Sequence, residues 1–189
     1  MAFRIWKIYQ HALEKFPLPT MSCTTGILMA TGDCVSQLVI ERKQLVEYSG
    51  VRTGRFFVIG FCVFGPVLRG WYLTLDKLYT GKKFSALKMM ATDQLCMSPI
   101  LVGTFLTCMG VLRMDDFKTI KERLKRDYTT ILINNYKIWP LAQMINFYFM
   151  PLRHRVLYGN VVALGWNIYL SWATEYELDT SVHQPVVTV

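Results

Sequence analysis

The chain is poor in the residues from which enzymes and metal sites are built. Its three histidines, His11, His154 and His183, stand far apart, and none falls at ligand spacing from a cysteine or a carboxylate, so no zinc-type site is expected. There is no glycine-rich phosphate loop and no nucleophile elbow. These absences predict a protein that is not an enzyme and that needs no cofactor and no metal. Cys23, Cys34, Cys62, Cys96 and Cys108 are odd in number, lie in apolar stretches and are not paired at metal-ligand spacing. They read as small buried hydrophobes rather than a disulfide framework. The first residues, MAFRIWKIYQHALEKFP, lack a continuous apolar core with a small-residue cleavage site, and they lack a Ser- and Arg-rich run. Neither a cleavable signal peptide nor a removable presequence is expected. No internal repeat or low-complexity tract is visible.

What the chain has is apolar length. Hydrophobic residues make up 52% of its 189 positions, and the mean hydropathy is +0.26. Five apolar segments run roughly through 20–40, 56–75, 87–112, 130–150 and 156–172. A membrane-crossing helix takes about 20 mostly apolar residues, so the first four are long enough and the fifth falls short. The fold class expected is an all-α polytopic membrane helical bundle, with about four transmembrane helices plus amphipathic interfacial helices. It forms a single domain over 1–175, followed by a flexible acidic tail over 176–189.

The formal charge of +8 collects between the apolar runs. The connectors are ERKQLVEYSGVR, DKLYTGKK, RMDDFKTIKERLKRDY and PLRHR. A nucleic-acid binder would carry one continuous basic stripe. This distribution instead fits topology signals and lipid headgroups, with no direct nucleic-acid contact. With four spans, ten Lys and Arg fall beside the first and third connectors against seven on the other side, which leans those connectors toward the matrix or cytosol. Ile5, Tyr9, Leu13 and Phe16 recur at helical spacing and predict a short amphipathic helix ending before Pro17. Phe117, Ile120, Leu124, Tyr128 and Ile131 do the same in the third connector, which reads as an amphipathic helix lying at the interface.

The polar residues inside the apolar runs are the most informative. Gly26, Ala30, Asp33 and Gln37 line one face of the first. Small residues there admit a second helix closely. Asp93 with Gln94, Thr104 and Thr107 mark the third, where Pro99 should kink or break the helix. Asn135, Trp139, Gln143 and Asn146 align on the fourth, with Lys137 nearby. Asn160, Ala163, Asn167 and Ser171 align on the fifth, and the second contributes Arg69. An ionised group at mid-bilayer costs at least about 2.5–3.5 kcal/mol, so Asp33, Arg69, Asp93 and Lys137 are expected to avoid lipid, the two acids and two bases neutralising one another. The candidate interior or pore-lining residues are Asp33, Gln37, Arg69, Asp93, Gln94, Lys137, Trp139, Gln143, Asn146 and Asn167. Two readings stay open: a hydrated solute pathway, or polar bonds that only hold helices together.

An ordered set of motifs carries a resemblance. YQHALEKFP, GILMATGDCVSQ, GPVLRGWYLTLD, DQLCMSP, RDYTTILINNYKIWPLAQMINFYFMPLRHR and WNIYLSW span about residues 4 to 173, and the WPxxQxxNFxxxP run from Trp139 to Pro151 is the most specific. Together they resemble the Mpv-seventeen/peroxisomal membrane protein twenty-two family. The resemblance implies a four-span protein of the mitochondrial inner membrane or, alternatively, the peroxisomal membrane. For one branch it implies a non-selective channel-like activity passing small solutes, among them nucleotide precursors, and a link to mitochondrial DNA maintenance. It carries no catalytic site. The partners implied are the lipid bilayer, small solutes and, as an open alternative, further copies in a homo-oligomer. Arg69 departs from the family pattern, which has a small residue there, and the acidic tail departs from a short basic ending.

Overall fold

A computed structural model describes residues 2–79, 81–149 and 155–182. Those residues form six helices: α1 (Ala2–Lys15), α2 (Pro17–Ile40), α3 (Gly50–Tyr79), α4 (Ser85–Arg113), α5 (Phe117–Phe149) and α6 (Arg155–Val182). Among the described residues α2, α3 and α4 are long and apolar enough to cross a membrane. Their outward faces carry large hydrophobics such as Val39, Val67, Leu95 and Ile100, as a lipid-facing surface requires. The expected segments are all present, and each helix outruns its apolar run because flanking polar turns continue it.

The long helices alternate in direction. The end of α2, the start of α3 and the end of α6 meet around Arg52, and Arg113 at the end of α4 reaches Glu175 on α6 at that same end of the bundle. Arg42, Phe84 and Met114, in the connections that follow α2, α3 and α4, lie in the left-handed region (φ 54°, 58° and 64°). α1 folds back on α2, where Thr20 Oγ donates to the Ala12 carbonyl at 3.1 Å.

Close approach is set by small residues. A methyl group on Gly60 would lie 2.7 Å from Gly26 Cα, and one on Gly32 would lie 2.5 Å from Asn167 Cβ. The Gly26 face thus receives α3, and the turn beyond it receives α6. Around these crossings a core of Met29, Phe56, Ile59, Phe105, Met109, Ile131 and Leu170 is buried, with the Phe56 and Phe105 rings 5.6 Å apart.

Each of α2, α3 and α4 contains one π-helical turn: Ser36–Ile40, Gly60–Phe64 and Asp93–Met97. Such turns widen the helix by one residue and recur at functional positions. The last of them precedes Pro99. Pro99 thus stands midway along α4, just after the π turn, and the helix continues through Ser98–Arg113 instead of breaking there.

Three expectations are corrected. The third connector is not a separate interfacial helix, because it is the first half of α5. Its stripe packs on α4: Ile120 against Gly110, and Tyr128 donating to the Pro99 carbonyl at 3.2 Å. Only Phe117 of that stripe is left bare, at 81% exposure. Cys23, Cys62 and Cys96 are exposed rather than buried, since the small residues beside them took the inner faces. The helix α6 also runs past Glu175 to Val182, into the stretch read as a tail, while residues 183–189 lie outside the described ones.

Candidate functional site

The polar residues divide into two regions at opposite halves of the bundle. The first is built on Asp33, which is fully buried about 10 Å from the end of α2 at 1.5 Å per residue. One carboxylate oxygen accepts from Arg52 Nε at 2.7 Å and Ser171 Oγ at 2.6 Å. The other accepts from Gln37 Nε2 at 2.8 Å and Thr53 Oγ at 2.6 Å. Four donors fill the acceptor capacity of an ionised carboxylate. Arg52 spends its other nitrogens on Glu41 as a bidentate pair at 2.8 and 2.5 Å, and on Ser171 Oγ at 2.7 Å. Ser36 Oγ caps Glu41 at 2.8 Å, and Gln37 is held by the Ser49 backbone N–H at 2.8 Å. A hydroxyl relay from Tyr48 to Thr53 (2.7 Å) extends the net to the surface, with Cys34 Sγ 3.0 Å from the phenol.

Local sequence explains the assembly. Ser49 caps α3, its Oγ accepting from the Arg52 N–H at 3.3 Å, which places Arg52 in the first turn, facing the carboxyl end of α2. The π turn at Ser36–Ile40 swings Glu41 back over it. Burial pushes the Glu41 carboxyl upward, but the hydrogen bonds from Arg52 and Ser36 and the charges of Arg52 and Lys43 prevail and hold it below the usual range. Burial, with the Cys34 contact, raises the Tyr48 phenol. Next to this net, Arg113 pairs with Glu175 and Arg123 lies 3.2 Å from Asp115.

The second region is a cavity of about 440 Å³ between α2, α3, α4 and α5, lined by Arg69, Asp76, Asp93 and Gln143 among apolar neighbours. Asp93 lies about 12 Å into α4. One of its oxygens accepts from Trp71 Nε1 at 2.8 Å and the other from Gln94 Nε2 at 3.1 Å. Arg69 has Met21 Sδ at 4.0 Å.

The ten sequence candidates therefore do not form one lining. Asp33 and Gln37 belong to the closed net, and Arg69, Asp93 and Gln143 to the cavity. Gln94 is buried beneath Asp93 and accepts from Ser98. Trp139 packs on the core. Asn167 is buried against Gly32. Lys137 is exposed and donates to Asn134 at 3.1 Å, which corrects its placement in the interior: the inner face of that turn belongs to Asn135. The side chain of Asn146 lies outside the described residues. The mutual pairing expected of two acids and two bases is corrected as well, because the cation that neutralises Asp33 is Arg52. Sequence reasoning assigned Arg52 and Glu41 to a connector. The signal available was SGVR, a capping serine that puts an arginine in the first turn. Ser171 was placed on the correct face but not as a partner of Asp33.

The comparisons agree with this architecture. The Mpv17 / PMP22 family model matches residues 110–171, ending at the serine that closes the Asp33 net. The chain is 44% identical over 169 residues to "Mitochondrial inner membrane protein Mpv17" of Danio rerio, covering 89% of this chain and 96% of that one. The chain belongs to the Mpv17/PMP22 family. The Homo sapiens relative of the same name is 40% identical over the same shares, and "Protein SYM1" of Gibberella zeae is 38% identical over 87% of this chain and 94% of its own. No solved structure matches. With these relatives and its apolar helices, this family member is a helical protein of the mitochondrial inner membrane.

Proposed function

We propose that this family member is a channel-like passage for small solutes across the mitochondrial inner membrane, supporting mitochondrial homeostasis and mitochondrial DNA maintenance, and that it is not an enzyme. The observation that carries this reading is the cavity of about 440 Å³. It gathers Arg69, Asp93 and Gln143 inside helices whose outer faces are apolar, and ionised groups at that depth are characteristically found on solute or ion paths. The Arg52 net at the opposite half acts as the closed end, so passage requires it to part. The test is the purified full chain in planar bilayers, beside Asp93→Ala. Conductance above that of empty membrane is expected, with altered ion selectivity in the variant. A record no different from bare lipid overturns the reading, and unchanged selectivity removes Asp93 from the path.

A second reading, a structural or assembly protein, is favoured by the Asp33 net, whose four donors fill the carboxylate and join α2, α3 and α6. It predicts that Asp33→Asn disturbs folding while no flux is seen from the wild type.

A further inference from the structure

The cavity brings charges of opposite sign together. On α3, the Arg69 guanidinium offers five N–H donors, and among the described residues its hydrogen-bonding contact is the Met21 thioether 4.0 Å away. No carboxylate lies within 4.0 Å of it among those residues. On α4, Asp93 is steadied by two neutral donors, one on each oxygen, which leaves about half of a carboxylate's acceptor sites open. Asp76, two turns beyond Arg69 on α3, is exposed at the edge of the lining, while Gln143 supplies an amide that donates and accepts. The volume, about 440 Å³, falls inside the roughly 300–1,000 Å³ of small-molecule sites.

These charges decide the ligand class. A multiply charged anion such as a phosphate ester would satisfy Arg69 but meet the Asp93 carboxylate. A plain cation would satisfy Asp93 but meet the Arg69 guanidinium, which has no carboxylate within 4.0 Å among the described residues. A molecule with one carboxylate and one ammonium matches both Arg69 and Asp93. Resting on the reading of this cavity as part of a solute path, we propose that it binds a small zwitterion of the amino-acid type, the carboxylate taking the Arg69 fork and the ammonium taking Asp93. Arg69 suits the first task because its planar fork matches a carboxylate in two bonds. Asp93 suits the second because it lines the cavity while Trp71 and Gln94 fix its orientation and leave acceptor sites unfilled.

The test is direct binding to the full chain in lipid nanodiscs, read by calorimetry, so that it does not depend on flux. The probes are a ruler of zwitterions (glycine, β-alanine, 4-aminobutyrate and 6-aminohexanoate), with acetate, methylammonium, inorganic phosphate and glycine methyl ester beside them. One length of zwitterion should bind best, and each single-charge probe should bind about ten- to a hundredfold more weakly, the loss expected for one charged hydrogen-bonded partner. Arg69→Ala should abolish the preference for glycine over its methyl ester, and Asp93→Asn should abolish the preference over acetate. Arg69→Lys should retain part of it. Equal binding of acetate or phosphate overturns the proposal in favour of an anion site, and equal binding of methylammonium overturns it in favour of a cation site. Absence of binding by every zwitterion to the wild type also overturns it, independently of how the variants fold. Zwitterion binding without bilayer conductance would uphold the site and reject the channel. Conductance without zwitterion binding would do the reverse.

Discussion

Asp33 and Asp93 are both carboxylates within apolar helices, yet they are treated differently. Asp33 receives four donors, one of them a guanidinium that is itself locked onto Glu41. Asp93 receives two, both neutral. A saturated net has nothing left to offer a ligand and serves to join α2, α3 and α6, whereas an unsaturated one can exchange partners. The sharpest way to break this contrast is Arg52→Met. It strands Asp33 without its cation and leaves Glu41 with Lys43 as its cation, and a buried pair broken on one side costs about 3–5 kcal/mol. Loss of folded protein on size-exclusion in detergent is expected, with partial recovery when Asp33→Asn is added. Arg69→Met should be tolerated in the same assay. Equal damage from both would erase the distinction between the two regions.

Packing at the helix crossings comes next in size. Gly60→Ala drives a methyl group to 2.7 Å from the Gly26 backbone, where no side chain can rotate away. Overpacking of this kind costs about 1–3 kcal/mol. Gly54 and Gly70 have open space at the same point, so alanine there should stabilise by up to about 1 kcal/mol. Thermal unfolding of the three variants in one lipid mixture measures the difference. A stable Gly60→Ala would mean that α2 and α3 stand farther apart than described.

The helices and their small-residue faces were legible in the sequence because hydrophobic length and i, i+4 spacing are local properties. The pairing of charges was not. Asp33 lies 19 residues from Arg52 and 138 from Ser171, and nothing in the spacing of one helix says which neighbour will face it. Arg69 and Lys137 were the natural partners on the rule that intramembrane charges pair. The structure meets that rule with Arg52, an arginine one turn inside the helix boundary, where apolar-run counting assigns it to a loop. The same locality misread the stripe of Phe117 to Ile131. An amphipathic face reports that something apolar covers it, and α4 does so as well as a bilayer would.

Acidification should loosen the Arg52 net with a defined sign. Glu41 is held below the usual glutamate range by Arg52 and Ser36, against the opposing effect of burial. A carboxylate with a depressed folded pKa contributes stability that is present above its unfolded value, about 4.3. That contribution is lost as pH falls through the lower, folded value. The unfolding temperature in nanodiscs should therefore be flat near neutrality and drop below about pH 4.3, and Glu41→Gln should shallow that drop. A fall centred near neutral pH would point to another group.

The smallest effect is expected at Lys137, a charge inside the fourth apolar run that the structure places on the outer surface, bonded to Asn134. A lysine so placed extends its ammonium along the helix toward water while its methylenes lie on apolar surface. Removing it takes nothing from either polar region. Lys137→Leu should leave bilayer conductance and ion selectivity unchanged, and should shift stability by no more than about 0.5 kcal/mol. The direction would be upward if that face meets acyl chains, since a charge in hydrocarbon is the costlier occupant. A change in selectivity would put Lys137 on the solute path and α5 in a different rotation, and it would return Arg69 to a cavity with two cations, where a zwitterion no longer fits.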